Sequence, residues 1–236
     1  MTMQKLALSA LLAGATISVA QAQTKERTVL LSGSIGYSSG KTENTTTAIP
    51  GTPALPGQSS GSSIAVGSQA GFFIADNLVV GLNAGLSSGK NNYSQDMYTS
   101  PGIIQTSATK ETLKRLSFGP FVRYYHMVGE KAGFYGQLSG GYQRSTEETT
   151  GDPPFFVSRT TKGSGGYASI LPGFVYFPTA KLGLELTLGS LSYTKITSTS
   201  QVLAPARSEG KSTSSNFAAN FGLQNLTLGA SFHLGN

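Results

Sequence analysis

The chain has 236 residues, 12% of them charged, a formal net charge of +6 and no cysteine. A mean hydropathy of −0.07, with no run of about 18 apolar residues after the N-terminal stretch, excludes a bundle of membrane helices, and zero cysteine excludes a disulfide framework and a thiolate metal site. The length suits one domain, and the cations are dispersed instead of gathered on one aromatic-interleaved face, which excludes a nucleic-acid surface.

Residues 1–22 read as a secretory leader, with Lys5 in the n-region, an apolar run from Leu6 to Ala20 and a small-x-small cleavage site at Ala20-Gln21-Ala22. The predicted barrel domain is 23–236. It opens with Val29, Leu31, Ile35 and Tyr37 on one parity and Leu30, Ser32, Ser34, Gly36 and Ser38 on the other. Side chains along a strand alternate between faces, so this strand has two unlike surfaces. Ile64, Val66, Ala70, Phe72 and Ile74 form the next apolar row, and Asp76-Asn77 turns it into Leu78, Val80, Leu82, Ala84 and Leu86, a hairpin signal. Leu116, Phe118, Val122 and Tyr124 lead through Gly129-Glu130-Lys131 to Phe134, Leu138 and Tyr142. Tyr167, Leu171, Val175 and Phe177 lead through Pro178-Thr179-Ala180 to Leu182, Leu184, Leu186 and Leu188, and Leu226, Leu228, Ala230, Phe232 and Leu234 end the series.

Two kinds of irregularity are predicted. Pro120 and Pro172 fall inside strands, where the missing N–H points to bulges beside Gly119 and Gly173. Parity also changes between Leu188 and Leu191 and between Leu223 and Leu226, which places bulges near Gly189 and near Gln224-Asn225. Phe217, Ala219, Phe221 and Leu223 belong to the second register.

The three tight turns alternate with four long connections, roughly Gly40–Gly61, Asn91–Lys110, Glu147–Lys162 and Ser198–Ser214, read as loops. The first, rich in Thr, Ser, Pro and Gly, is predicted to be mobile or extended instead of a packed lid. Short turns at one end and long loops at the other point to an all-β fold, an eight-stranded antiparallel up-and-down transmembrane β-barrel. A soluble barrel would hold the apolar parity inside and show Lys and Glu outside; here the polar parity is mostly Gly, Ser, Ala, Gln and Asn, which suits a narrow lumen. Tyr37, Phe72, Phe118, Tyr124, Phe134, Tyr142, Tyr167, Phe177 and Phe232 are predicted to form an aromatic girdle.

Arg123 and Glu185 sit on the lumen parity, at similar distances from their short turns. A buried charge must be paired and hydrogen-bonded, so the two are expected to meet across the lumen, with Gln137, Asn83 and Gln69 completing a polar plug. No phosphate loop, metalloprotease His pair or nucleophile elbow is present, so no cofactor, metal ligand or catalytic residue is predicted.

The layout from Ser34 to Phe232, and above all LPGFVYFPTAKLGLELTLGSLSY at residues 171–193, resembles the small eight-stranded outer-membrane β-barrel family of Gram-negative bacteria. That family includes the OmpA transmembrane domain, OmpX and porin-family barrel domains. The resemblance implies outer-membrane localisation, a monomer, insertion by the barrel assembly machinery with Phe232 as the terminal aromatic, and contact with outer-membrane lipid and lipopolysaccharide. Lys90, Lys110, Lys114, Lys162, Lys195 and Lys211 lie at the long-loop ends of strands, where they fit lipopolysaccharide. The expected role is structural or one of surface interaction, with loops facing an extracellular ligand of unknown kind; a narrow pore for small solutes is the alternative. A lipid-modifying enzyme is disfavoured, because His126 and His233 both lie at the short-turn end, away from an outer-leaflet substrate.

Overall fold

The structure is a computed structural model that describes residues 24–46, 55–100, 103–151, 158–202 and 208–235. The leader and its cleavage site lie outside the described residues.

Ten strand segments follow in chain order: β1 (Val29–Thr46), β2 (Leu55–Ala75), β3 (Leu78–Ser100), β4 (Ile103–Val128), β5 (Ala132–Gly151), β6 (Arg159–Tyr176), β7 (Leu182–Thr187), β8 (Gly189–Val202), β9 (Ser208–Phe221) and β10 (Thr227–Leu234). β7 with β8, and β9 with β10, are halves of broken strands, so the ten segments fill eight positions of an antiparallel up-and-down ring. Each strand pairs with its chain neighbour, and β10 closes the ring on β1 from Val29↔Leu234 to Gly36↔Thr227.

The break in the seventh strand lies where parity required it. Ile170 faces Leu191 and Gly173 faces Thr187, so β6 meets one extra residue across Leu188–Ser190. That insertion lets both Leu188 and Leu191 face outward. Gly189 has a φ of +134°, open to glycine at little cost. In the eighth strand the irregularity is larger than a bulge, because Gly222 at φ +136° leads into a short 3₁₀ turn, Leu223–Asn225.

The bulges expected at the prolines are absent from their own strands. The β4–β5 register runs unshifted from Phe118↔Tyr142 to Phe121↔Ser139 past Pro120, and Pro172 faces Gly136 in a continuous β5–β6 ladder. Pro120, which has no N–H to donate, is accommodated by a gap in the ladder: the β4–β5 pairing skips Gly119 and Pro120 while the flanking pairs keep their register. The irregularity near Pro172 sits on the facing strand, at Leu188–Ser190.

The long loops are a second correction, since ladders fill most of them. β1 and β2 pair as far as Thr46↔Leu55, β3 and β4 as far as Ser100↔Ile103, β5 and β6 as far as Thr149↔Arg159, and β8 and β9 as far as Val202↔Ser208. β4 reaches 26 residues, against about 9–11 needed to cross a bilayer. Hairpin pairing satisfies the backbone without an apolar face, so these Ser- and Thr-rich segments carry strand without the alternation that announces it.

Outward residues are exposed and apolar, among them Leu82 at 67%, Leu138 at 57% and Ile35 at 54%, while Phe73, Val79, Tyr125 and Phe177 are completely buried inside. Strand six departs from expectation. Its inward row is Tyr167, Leu171, Val175 and Phe177, and Ile170 and Phe174 face out at 50% and 37% exposure. Both rows of β6 are apolar, so alternation alone could not choose the lipid face.

Candidate functional site: the lumen

The short-turn end of the lumen is an aromatic core. Leu30, Phe73, Val79, Phe121, Tyr125, Tyr135, Val175 and Phe177 pack together there. Residues ahead of β1 tie down the first turn: Asn77 N donates to Thr24 O at 2.7 Å, Thr24 Oγ1 donates to Asn77 Oδ1 at 2.6 Å, and Phe73 N donates to Thr28 O at 2.9 Å. Asn77 holds φ +66°, a left-handed conformation that asparagine tolerates.

Arg123 crosses the lumen above this core. Its NH1 donates to Glu185 Oε1 at 2.8 Å and to the Tyr125 hydroxyl at 2.9 Å, Nε donates to Gln137 Oε1 at 2.8 Å, and NH2 donates to Gln69 Oε1 at 2.6 Å. One guanidinium on β4 therefore ties together β2, β5 and β7. Tyr135 lies under the cation, with the guanidinium carbon 4.3 Å from its ring centroid. The second carboxylate oxygen of Glu185 accepts from Ser32 Oγ and from the Tyr135 hydroxyl, both at 3.4 Å. Gln137 Nε2 passes the chain on to Ser139 Oγ at 2.9 Å. Among the described residues no buried side-chain polar atom lacks a partner, the condition under which a buried ion pair becomes tolerable. Gly173 makes room for Tyr135, because a Cβ there would run into the ring.

Four of the five residues expected in the plug, Arg123, Glu185, Gln137 and Gln69, meet in one network. Asn83 belongs to another layer, accepting from the Tyr167 hydroxyl at 2.8 Å and donating to Pro120 O at 3.3 Å. Sequence reasoning missed Tyr125 and Tyr135. The available signal was Phe121, Arg123 and Tyr125 at successive inward positions of one strand, bulky where the hairpin half of the lumen parity is mostly Ser and Gly.

Tyr37, Phe72, Phe118, Tyr124, Phe134, Tyr142 and Phe232 are exposed on the outer face, as a girdle requires. Tyr167 and Phe177 are not part of it: Phe177 is in the core, and Tyr167 turns its hydroxyl to Asn83 inside. Phe174, stacked edge-on against Phe134 at 5.6 Å, occupies the outward place on strand six. His233 is completely buried, its Nε2 3.3 Å from Ser231 Oγ and its ring packed against Phe73, Tyr125 and Phe177. Among the described residues no cluster of His, Cys, Asp or Glu could hold a metal ion.

On the hairpin side of the plug the lumen holds a cavity of about 240 Å³ lined by Ser32, Ser34, Gln69, Gln137 and Thr187. A neighbouring space of about 280 Å³, bounded by Tyr37, Ser38, Gly189 and Asn220, shares Leu171 and Thr227 with it. That space lies where β1 and β9 are not paired with each other.

An apolar outer face around an interior bridged by a buried ion pair defines a transmembrane β-barrel. No family model and no curated protein matches the chain. Among solved structures it is similar to the outer membrane protein OprG from Pseudomonas aeruginosa, with 14% identity, a TM-score of 0.40 and coverage of 91% of this chain and 100% of that one. It is also similar to Ail, the attachment invasion locus protein of Yersinia pestis, with 11% identity, a TM-score of 0.30 and coverage of 89% and 99%. The outer membrane protease OmpT from Escherichia coli aligns with 11% identity, a TM-score of 0.38 and coverage of 93% and 97%.

Proposed function

We propose that the protein is a closed anchor in the outer membrane of a Gram-negative bacterium, with short turns in the periplasm and long hairpins outside, and that it acts through those hairpins by surface interaction. The Arg123–Glu185 network supports this reading: it bridges the lumen above a packed aromatic core, an arrangement suited to blocking solute passage toward the turn end. The ladders that continue past Tyr37, Phe118 and Tyr142 add a stiff, polar platform suited to a partner. Ser231 and His233 are walled in by aromatic rings, which argues against a catalytic role for the pair.

The test is refolding into planar bilayers with single-channel recording. The wild-type protein is expected to insert without measurable conductance, and steady wild-type channels would replace this reading with that of a narrow pore. On intact cells, protease should reach Gly40–Gly61 and Glu147–Lys162 but spare the Asp76-Asn77 and Gly129–Lys131 turns, and the opposite pattern would invert the topology.

A further inference from the structure

Among the described residues the wall of the ring is incomplete on the hairpin side of Gly36. Up to that residue β1 is paired with β10, but from Tyr37 to Thr46 it is paired with β2 alone, and β9, from Ser208 to Phe221, is paired with β8 alone. The break in the eighth strand marks the change. Gly222 at φ +136° and the 3₁₀ turn Leu223–Asn225 interrupt it, and Gly222 N donates to Leu188 O at 3.0 Å, which ties the end of β9 to the seventh strand and not to β1. A space of about 280 Å³ lies between Tyr37 and Ser38 on one edge and Asn220 on the other. The inward residues around it, Ser38, Ser63, Ser190 and Asn220, are small or polar and give the two walls little to pack on.

Part of this seam lies at the membrane. Phe217 and Phe221 on one side and Tyr37 on the other are exposed on the outward parity, the row that carries the lipid-facing residues elsewhere. An edge strand presents a row of N–H and C=O groups without partners. Water satisfies them above the bilayer, but within hydrocarbon every such group is costly and an open sheet edge is not tolerated. The family resemblance implies a monomer, yet a single copy leaves both edges bare. What covers them must itself be an extended strand with a free edge, embedded at the same depth and running antiparallel.

A second copy of the chain meets all of these conditions. β1 runs from the short-turn end to the hairpin end and β9 runs back, so in two copies inserted with the same orientation the β1 of one is antiparallel to the β9 of the other. We infer that two copies associate about a twofold axis along the membrane normal, each laying its β1 edge, Tyr37–Thr46, against the β9 edge of its partner. One rotation satisfies both seams at once, the closed and isologous arrangement that most homo-oligomers adopt. Matching the outward parities sets Tyr37 against the partner's Phe221, Ser39 against the partner's Ala219 and Lys41 against the partner's Phe217. Aromatic and cation–aromatic neighbours of this kind favour paired strands. On the short-turn side of Gly36 each copy keeps its own closed ring. This inference rests on the membrane reading above.

The chain has no cysteine, so introduced thiols report the joint without background. Ser39→Cys and Ala219→Cys, made in separate chains, are mixed, refolded into phosphatidylcholine vesicles at low protein density and oxidised, and non-reducing gels count the dimers. Directly opposed residues on antiparallel strands have Cβ atoms about 4.5–5.5 Å apart, close enough for a disulfide after a small adjustment. The mixture should give at least about tenfold more linked dimer than either variant alone, because each alone sets its thiol opposite a residue without one. Dilution into excess detergent before oxidation should separate the copies and abolish the link. Gly33→Cys mixed with Ala230→Cys should stay monomeric, since β1 and β10 of one chain already pair there, and equal linking of that mixture would reduce the signal to random collision. The proposal is overturned if no dimer forms from Ser39→Cys with Ala219→Cys, nor with Phe217→Cys or Phe221→Cys, which cover a register slip to either side. An internal disulfide in the chain carrying both Ser39→Cys and Ala219→Cys, without dimer from the mixtures, would show that the ring closes on itself instead. Failure of the wild type to enter vesicles at all would overturn the membrane reading itself, an outcome separate from these.

Discussion

At the short-turn end β1 is held on both sides, by β2 and, through Val29–Gly36, by β10, whereas beyond Gly36 it pairs with β2 alone and β9 pairs with β8 alone. The inward residues differ in step. Phe73, Phe121, Tyr125 and Phe177 fill the first region, while Ser38, Ser63, Ser190 and Asn220 line the second. Joining the two ends of the chain closes a loop of nearly the whole domain, an entropic cost that local hairpins do not carry. Burial of large side chains offsets that cost where they exist, and where the interior is small and polar only hairpin neighbours stay paired. Closure of this barrel is a property of its packed core.

The sharpest way to break that contrast is to remove one charge from the plug. Glu185→Ala strands a buried guanidinium and should cost about 3–5 kcal/mol in vesicle-refolded protein. A double-mutant cycle with Arg123→Ala should return a clear coupling energy, and zero coupling would mean that the two side chains do not act together. Next in size, Leu82→Arg puts a charge on the lipid face and should cost roughly 2–4 kcal/mol, while Asn216→Arg on the doubly exposed β9 should stay within about 0.5 kcal/mol. Equal urea midpoints for Leu82→Arg and wild type would refute the assignment of faces. Gly173→Ala forces a methyl into the Tyr135 ring and should cost about 1–3 kcal/mol. Gly210→Ala meets open space and should leave the midpoint unchanged. The gentlest probe is amide exchange on single copies in detergent: Leu228–Phe232, paired on both sides, should be protected far longer than Ser208–Phe221. Uniform protection along the eighth strand would show that the ring is closed along its full height.

The sequence by itself determined the strand series, the three tight turns, the break at Gly189 and most of the lumen network, because period-two alternation and the rule that a buried charge needs a partner are both local or pairwise statements. Arg123 and Glu185 could be matched from parity and distance to their turns alone. Tertiary structure decided the rest. On β6 two apolar rows left the faces undetermined until Phe177 and Val175 found the core, and Pro120 is fitted without a bulge because the β4–β5 ladder skips Gly119 and Pro120 and resumes in the same register. Polar hairpins escaped notice because their ladders need no apolar stripe. The opening between β1 and β9 was illegible for a related reason: strand closure depends on how much volume the opposite wall supplies to the interior, a quantity that belongs to the assembled barrel and to no single strand.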